Sequence, residues 1–320
     1  MDLQGTDIQI DALKLSKVHK NPVPEHYSRI INAVDHDGFR LSETYAWRSH
    51  YGEFGSNFRA RSDGQRVQIL NNPSRWNQPH SLNGVSIRKA IQITNQQAAL
   101  VGLPEFDGES TVQLLHVCAD VELGSKQKAQ AYIDHLKTIK APRLKPGSTY
   151  PTTVNFGDGS ETKRIKAYIK SEAVRTQNTH TDEKEIAELE RRGVVRLEVE
   201  YRYKSLKALN WRKLSNLTQA KLVKQFKKDT AFMTKEYEMK DLDEIPKKYI
   251  GTLSMYLMGI DPREKMHRNT FNAHRNALKK YGYDISVMSV ERLKPKTRTL
   301  VLKVAEWPEG YNKPKHLKAV

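Results

Sequence analysis

The chain has 320 residues, enough for one large domain or two ordinary ones with real cores. Its 54 Lys and Arg against 37 Asp and Glu give a formal net charge of +17, a surplus that favours a polyanionic partner through counterion release. A single cysteine, Cys118, excludes an internal disulfide framework and a Cys-based structural zinc site, and no stretch approaches the roughly 18–20 apolar residues of a membrane span. Residues 1–20 alternate polar and apolar side chains without the apolar segment of a signal peptide, so the expected setting is a reducing cytoplasm.

Residues 25–105 mix loops with short β-like runs at 39–44 and 64–70, then the turn-rich 71–84. Residues 110–205 hold three strand-like segments separated by helical patterns at 125–139 and 181–192, the second opening on Asp182 and Glu183, which suit a helix N-terminus. Beyond 205 the pattern turns helical at 214–226, 246–258 and 263–281, before a β-like run at 297–304 and a basic tail. The expected class is α+β: an antiparallel sheet with flanking helices over 25–205, followed by a mostly helical accessory or DNA-binding region over 206–320.

The three segments between 110 and 205 alternate with period 2, the signature of half-buried antiparallel strands. In 114–123 the polar side carries His116, Cys118, Asp120 and Glu122. In 164–170 it carries Arg164, Lys166, Tyr168 and Lys170, and in 196–202 Arg196, Glu198, Glu200 and Arg202. If the strands are neighbours, one surface gathers an imidazole, carboxylates, a tyrosine and lysines. That set suits metal-assisted phosphoryl transfer: oxygen ligands and an imidazole hold Mg²⁺ or Mn²⁺, the tyrosine attacks, and a lysine lowers its pKa or stabilises developing charge. The same alternation also describes the solvated side of a sheet, in which His116 is a hydrogen-bonded structural residue and Cys118 a small packing residue.

In the C-terminal region Gly259 and Pro262 separate the helix at 246–258 from a basic one. A tight junction there would set the second helix in a major groove, with Arg268, Asn272 and Arg275 on one face at i, i+4 and i+7; a basic helix solvated on the sheet is the competing reading.

The segment "NNPSRWNQPHSLNG", with Asn72, Pro73, Trp76, Gln78, His80 and Gly84, is similar to one in the filamentous-phage gene II/X-type replication initiators, with Pro79 in place of a glycine. "LLHVCADVELGS", "VNFGDGSETKRIKAYIKSEAV" (matching at Tyr168, Lys170 and Glu172), "GVVRLEVEYRYKSLKALNW" and "TFNAHRNALKKYGYDIS" follow, so the resemblance spans about 35–290. It implies a site-specific DNA nickase that starts rolling-circle replication in a bacterial host cytoplasm, leaves a 3′-hydroxyl for the host replication machinery and later rejoins the circle. Its partner would be origin DNA, single-stranded or supercoiled, and its cofactor a divalent metal. By position Tyr168 is the nucleophile with Lys170 beside it, and Glu198 is the leading carboxylate, ahead of Glu200. The first strand departs from the family: His116 stands where an aspartate is usual, so either His116 is a ligand or the metal shifts to Asp120 or Glu122. His80 is a further ligand or DNA contact, or braces its turn; Trp76, Arg164 and Lys166 are expected DNA contacts. A non-catalytic sequence-specific DNA-binding protein, initiator or repressor, explains the charge and the C-terminal helices equally well. An RNA-binding protein lacks support, because no Gly-flanked aromatic pair is present.

Overall fold

The computed structural model describes residues 8–34, 36–37, 39–76, 78, 84–139, 141–177, 182–233, 245–257, 260–281, 283, 285–286 and 303–305. They fall into two compact units, residues 1–233 with 302–320, and residues 234–301.

The first unit is built on one antiparallel sheet. Its strands are β1 (Gln9–Val18), β4 (Arg48–Tyr51), β5 (Asn57–Ser62), β6 (Arg66–Asn71), β7 (Thr111–Glu122), β8 (Pro146–Tyr150), β9 (Thr153–Phe156), β10 (Lys163–Ile169) and β11 (Val194–Tyr201), in the order β4-β5-β6-β1-β7-β11-β10-β9-β8. A short strand β12 (Lys303–Val304) pairs with the end of β7. A separate hairpin joins β2 (Ile30–Val34) to β3 (Arg40–Tyr45). The fold is therefore α+β, as its patterning predicts. β1 lies ahead of residue 25, where the domain was expected to begin, yet it is an inner strand between β6 and β7.

One face of the sheet is apolar. Ile10, Leu13 and Leu15 of β1, Leu115, Val117, Ala119 and Val121 of β7, and Leu197 and Val199 of β11 are fully buried on it. Helix α1 (Ile87–Leu100) packs there, and Asn71 of β6 donates to Thr94 Oγ1 and Gln97 Oε1 of α1 at 2.9 and 2.6 Å. Helix α2 (Lys126–Thr138), capped by Ser125, buries Ala129, Tyr132, Ile133 and Leu136. After α5 (Tyr203–Ala208), α6 (Gln219–Thr230) brings buried Asp229 to this side, where Tyr201 donates to it at 2.9 Å and Lys163 forms an ion pair with it. A buried carboxylate is tolerable only with such donors.

Between β10 and β11 the chain forms α3 (Lys170–Gln177) and α4 (Glu183–Arg192), whose Val174, Ile186 and Leu189 pack on Val194 of β11. The α4 N-cap is Asp182, which accepts from Lys184 N–H. Its C-cap is Gly193 at φ +61°, where a side-chain carbon would lie 2.1 Å from the Ser125 carbonyl oxygen, so only glycine fits.

In the second unit α7 (Lys247–Leu257) and α8 (Arg268–Lys280) share a core of Ile245, Leu253, Tyr256, Phe271, Leu278 and Ile285. Of the expected junction, Gly259 lies outside the described residues, and Pro262 opens a 3-10 turn at Pro262–Glu264 capped by Asp261. Of the expected strand at 297–304, only its last two residues lie among those described.

Candidate active site

The opposite face of the central strands carries the polar set. Register fixes its rows. His116 of β7 pairs with Glu200 of β11, which pairs with Arg164 of β10. Cys118 pairs with Glu198, and Glu198 with Lys166. Asp120 pairs with Arg196, and Arg196 with Tyr168. On β1 the ladder with β7 slips between Ile10 and Ala12, leaving Asp11 as an extra residue. Such bulges re-aim side chains out of strict alternation. Asp11 thereby joins His116 and Glu198: one ligand atom from each lies within 4.8 Å of the other two.

The electrostatics divide this face. His116 Nδ1 lies 3.0 Å from Glu198 Oε1. Burial opposes charge on the His116 ring, but the Glu198 hydrogen bond and the Glu198, Glu200 and Asp11 charges outweigh it and raise its pKa. Burial would raise the Glu198 carboxyl, yet His116, Lys166 and Arg196 hold it down at about 2. Buried His116 Nε2 has no hydrogen-bond partner among the described residues and sits 3.6 Å from Glu200 Oε2. One imidazole with an orphaned nitrogen and two carboxylates is a donor set that fits a divalent ion of the Mg²⁺, Mn²⁺ or Zn²⁺ class.

The neighbouring acids are engaged elsewhere. Asp120 accepts two hydrogen bonds from fully buried Arg196, at 2.6 and 2.7 Å. Glu122 pairs with Arg192, and Glu200 with Arg164 at 2.8 Å and Arg202 at 2.5 Å. Of the five expected ligands, the candidate group contains His116 and Glu198 and adds Asp11, which sequence reasoning did not select.

Tyr168 shares this face. Lys166 Nζ stands 4.4 Å from its ring centroid, and burial, opposed by Arg196 and reinforced by Glu198 and Asp11, pushes its pKa well above 10. Lys170 lies just past the strand end, as the first residue of α3, and is buried. Burial and then the Arg196 charge bring its pKa down to about 8. Burial pushes the Cys118 thiol up, in keeping with a packing residue.

The competing reading of these strands, the solvated side of a sheet, is corrected here, as is any open face for the tyrosine. Tyr168 is 9% exposed, Glu198 6% and Arg196 0%. Helices α3 and α4 close one end, and the chain at Gly84 lies on Gln9, where a side-chain carbon would fall 2.1 Å from the glutamine Cδ. Alternating charges resemble a wet surface in sequence, but here they neutralise one another across strands, which permits burial. Asp11 and His116, each with 16% of the side chain exposed, are the more open members.

A family model described as the N-terminal part of a phage replication-associated protein, the gene II protein type, matches residues 10–229, from the start of β1 into α6. The chain belongs to that family. No curated protein matches the sequence. The matched stretch of this replication-associated chain contains every member of the cluster, Asp11, His116, Glu198, Tyr168 and Lys170.

The remaining expected residues are dispersed. Trp76 is half-buried, edge-on to Phe58 with ring centroids 5.3 Å apart, and His80 lies outside the described residues. Arg164 and Lys166 are half-buried beside the cluster. On α8, Arg268 and Asn272 are exposed while Arg275 is half-buried. Among the described residues, no helix is long and apolar enough to cross a membrane.

Proposed function

We propose that the protein initiates rolling-circle replication by nicking and rejoining origin DNA through a covalent bond to Tyr168, with a divalent metal held by Asp11, His116 and Glu198. The observation that carries this reading is the shared face: in a replication-associated family, one sheet surface collects a metal-type donor set, a tyrosine and Lys166, with Lys170 just past the strand end. When bound, the metal would polarise the scissile phosphate and neutralise its charge.

In the step proposed, Tyr168 Oη forms a bond to the 5′-phosphate phosphorus and the bond from phosphorus to the 3′ oxygen breaks. The 3′ oxygen leaves as a hydroxyl after taking up a proton, and rejoining is the reverse. Tyr168 is not ionised beforehand, because its pKa is raised. Its proton must leave during attack, and we assign its acceptance to the neutral amine of Lys170, the form that burial favours and that grows as pH rises toward 8. Lys166 faces the tyrosine ring and stabilises charge as it develops. The phosphate would enter on the more open Asp11 and His116 side, past Arg164 and Lys166, with further DNA contacts from Trp76, His80, Arg268, Asn272 and Arg275. Host replication proteins would extend the free 3′ end.

The test is incubation with Mn²⁺ or Mg²⁺ and labelled single-stranded and supercoiled replicon DNA. The expected product is a denaturation-resistant adduct mapping to the Tyr168 peptide, absent in Tyr168→Phe and without chelatable metal. Full cleavage by Tyr168→Phe would remove it as nucleophile. The burial of Tyr168 favours a second reading, a DNA-binding protein without catalysis; tight origin binding with no adduct or nick would establish it.

A further inference from the structure

Helix α8 presents a surface that solvation does not explain. Phe271 and Leu278 are buried against Leu253 and Tyr256 of α7, and Thr252 Oγ1 lies 2.6 Å from His274 Nδ1, which fixes the helix's rotation. At 100° per residue, the outward stripe then holds Arg268, Asn269, Asn272, Asn276 and Lys279, all exposed. No carboxylate lies anywhere in the helix. From residue 245 to 281 there are eight Lys and Arg and two Asp and Glu.

Three asparagines on one exposed stripe are a poor choice for stability. Asparagine is among the weaker helix formers, and a solvated face ordinarily carries Glu, Lys, Gln or Ala. Asparagine does have a specific use: its amide offers a donor and an acceptor side by side, matching N7 and N6 of adenine in the major groove. Asn272 and Asn276 are about 6 Å apart along the axis, close to two base-pair steps of about 3.4 Å. A helix of this width fits the groove, and Arg268 and Lys279 end the stripe about 16 Å apart, where phosphates flank it.

We infer that α8 reads duplex DNA in the major groove, with Asn272 and Asn276 hydrogen-bonding adenine edges and Arg268 and Lys279 held by backbone phosphates. The inference rests on the replication reading only for the identity of the polyanion as DNA, and not on the nicking chemistry.

The experiment is selection of binding sites from a random duplex library by the full chain, followed by competition titrations. A motif containing adenines is expected. Asn272→Ala and Asn276→Ala should each relax one position by about 5- to 150-fold in discrimination. Lys279→Ala should weaken all duplexes alike and lower the salt slope by about one. Alanine is the better helix former, so unchanged helicity by circular dichroism separates lost contacts from lost folding. Selection of no duplex motif, or a motif that both asparagine variants read unchanged, would overturn the inference. Tyr168→Phe should select the same motif as the natural chain, so failure of the nicking test and failure of this one are distinguishable.

Discussion

Replacing Asp120 with Asn is the sharpest probe of what holds the candidate site together. Arg196 is fully buried and donates its two short bonds, 2.6 and 2.7 Å, to Asp120. Its contacts to Gln9 and Asp11 are longer, at 3.4 and 3.5 Å. Asp120→Asn keeps the shape and takes away the guanidinium's close counter-charge, a loss of about 3–5 kcal/mol. At about 2–4 °C per kcal/mol for a domain this large, the midpoint should fall by roughly 6–20 °C. Urea denaturation with linear extrapolation measures the first quantity and a thermal melt the second. Adding Arg196→Met should recover most of the loss, since an apolar side chain of similar length removes the buried charge. A loss under about 1 kcal/mol for Asp120→Asn, the range of exposed ion pairs, would refute this account of the buried face.

Three further outcomes follow from the same geometry. Gly84→Ala should destabilise by about 1–3 kcal/mol in urea melts, because the added carbon falls within 2.1–2.3 Å of the Gln9 side chain. Lys170 has a folded pKa near 8 against 10.5, so between these values the unfolded chain binds more protons and stability rises with pH. That difference is worth about 3 kcal/mol at most, so Lys170→Met should stabilise the protein at pH 7 and flatten the rise in melts from pH 8 to 10.5. Glu198→Gln should weaken Mn²⁺ binding in calorimetry by more than about tenfold, and by more than Glu200→Gln, which also loses its arginine pairs and should lower stability.

The strands β7, β10 and β11 were legible because each is long and keeps period 2 throughout. Asp11 was not. The buried apolar residues here are Ile8 just before the first strand and Ile10, Leu13 and Leu15 within it, so the phase slips by one across Asp11–Ala12. That slip is the bulge written in sequence, but it also disguises the strand. Lys170 shows the opposite limit: alternation runs on through it, while the backbone turns into α3 there. Burial of the polar face was illegible for a different reason. Composition does not distinguish charges facing water from charges facing each other. The distinction lies in cross-strand register, Asp120 opposite Arg196 and Glu200 opposite Arg164, which alternation within a strand never specifies.

That register sorts the face into two kinds of residue. Asp120 with Arg196, Glu122 with Arg192, and Glu200 with Arg164 and Arg202 are pairs whose charges cancel locally. Asp11, His116 and Glu198 carry more negative than positive charge when the imidazole is neutral, and so attract a cation. The closed pairs stand around that open group, an arrangement suited to a candidate metal site. Ligands must be held within about half an ångström of their working positions by neighbours that do not themselves move. A solvated face would leave each side chain several rotamers, and a fully apolar one would expel the carboxylates. Cross-strand pairing lets the protein bury charge beside Tyr168 while the sheet fixes where each charge stands.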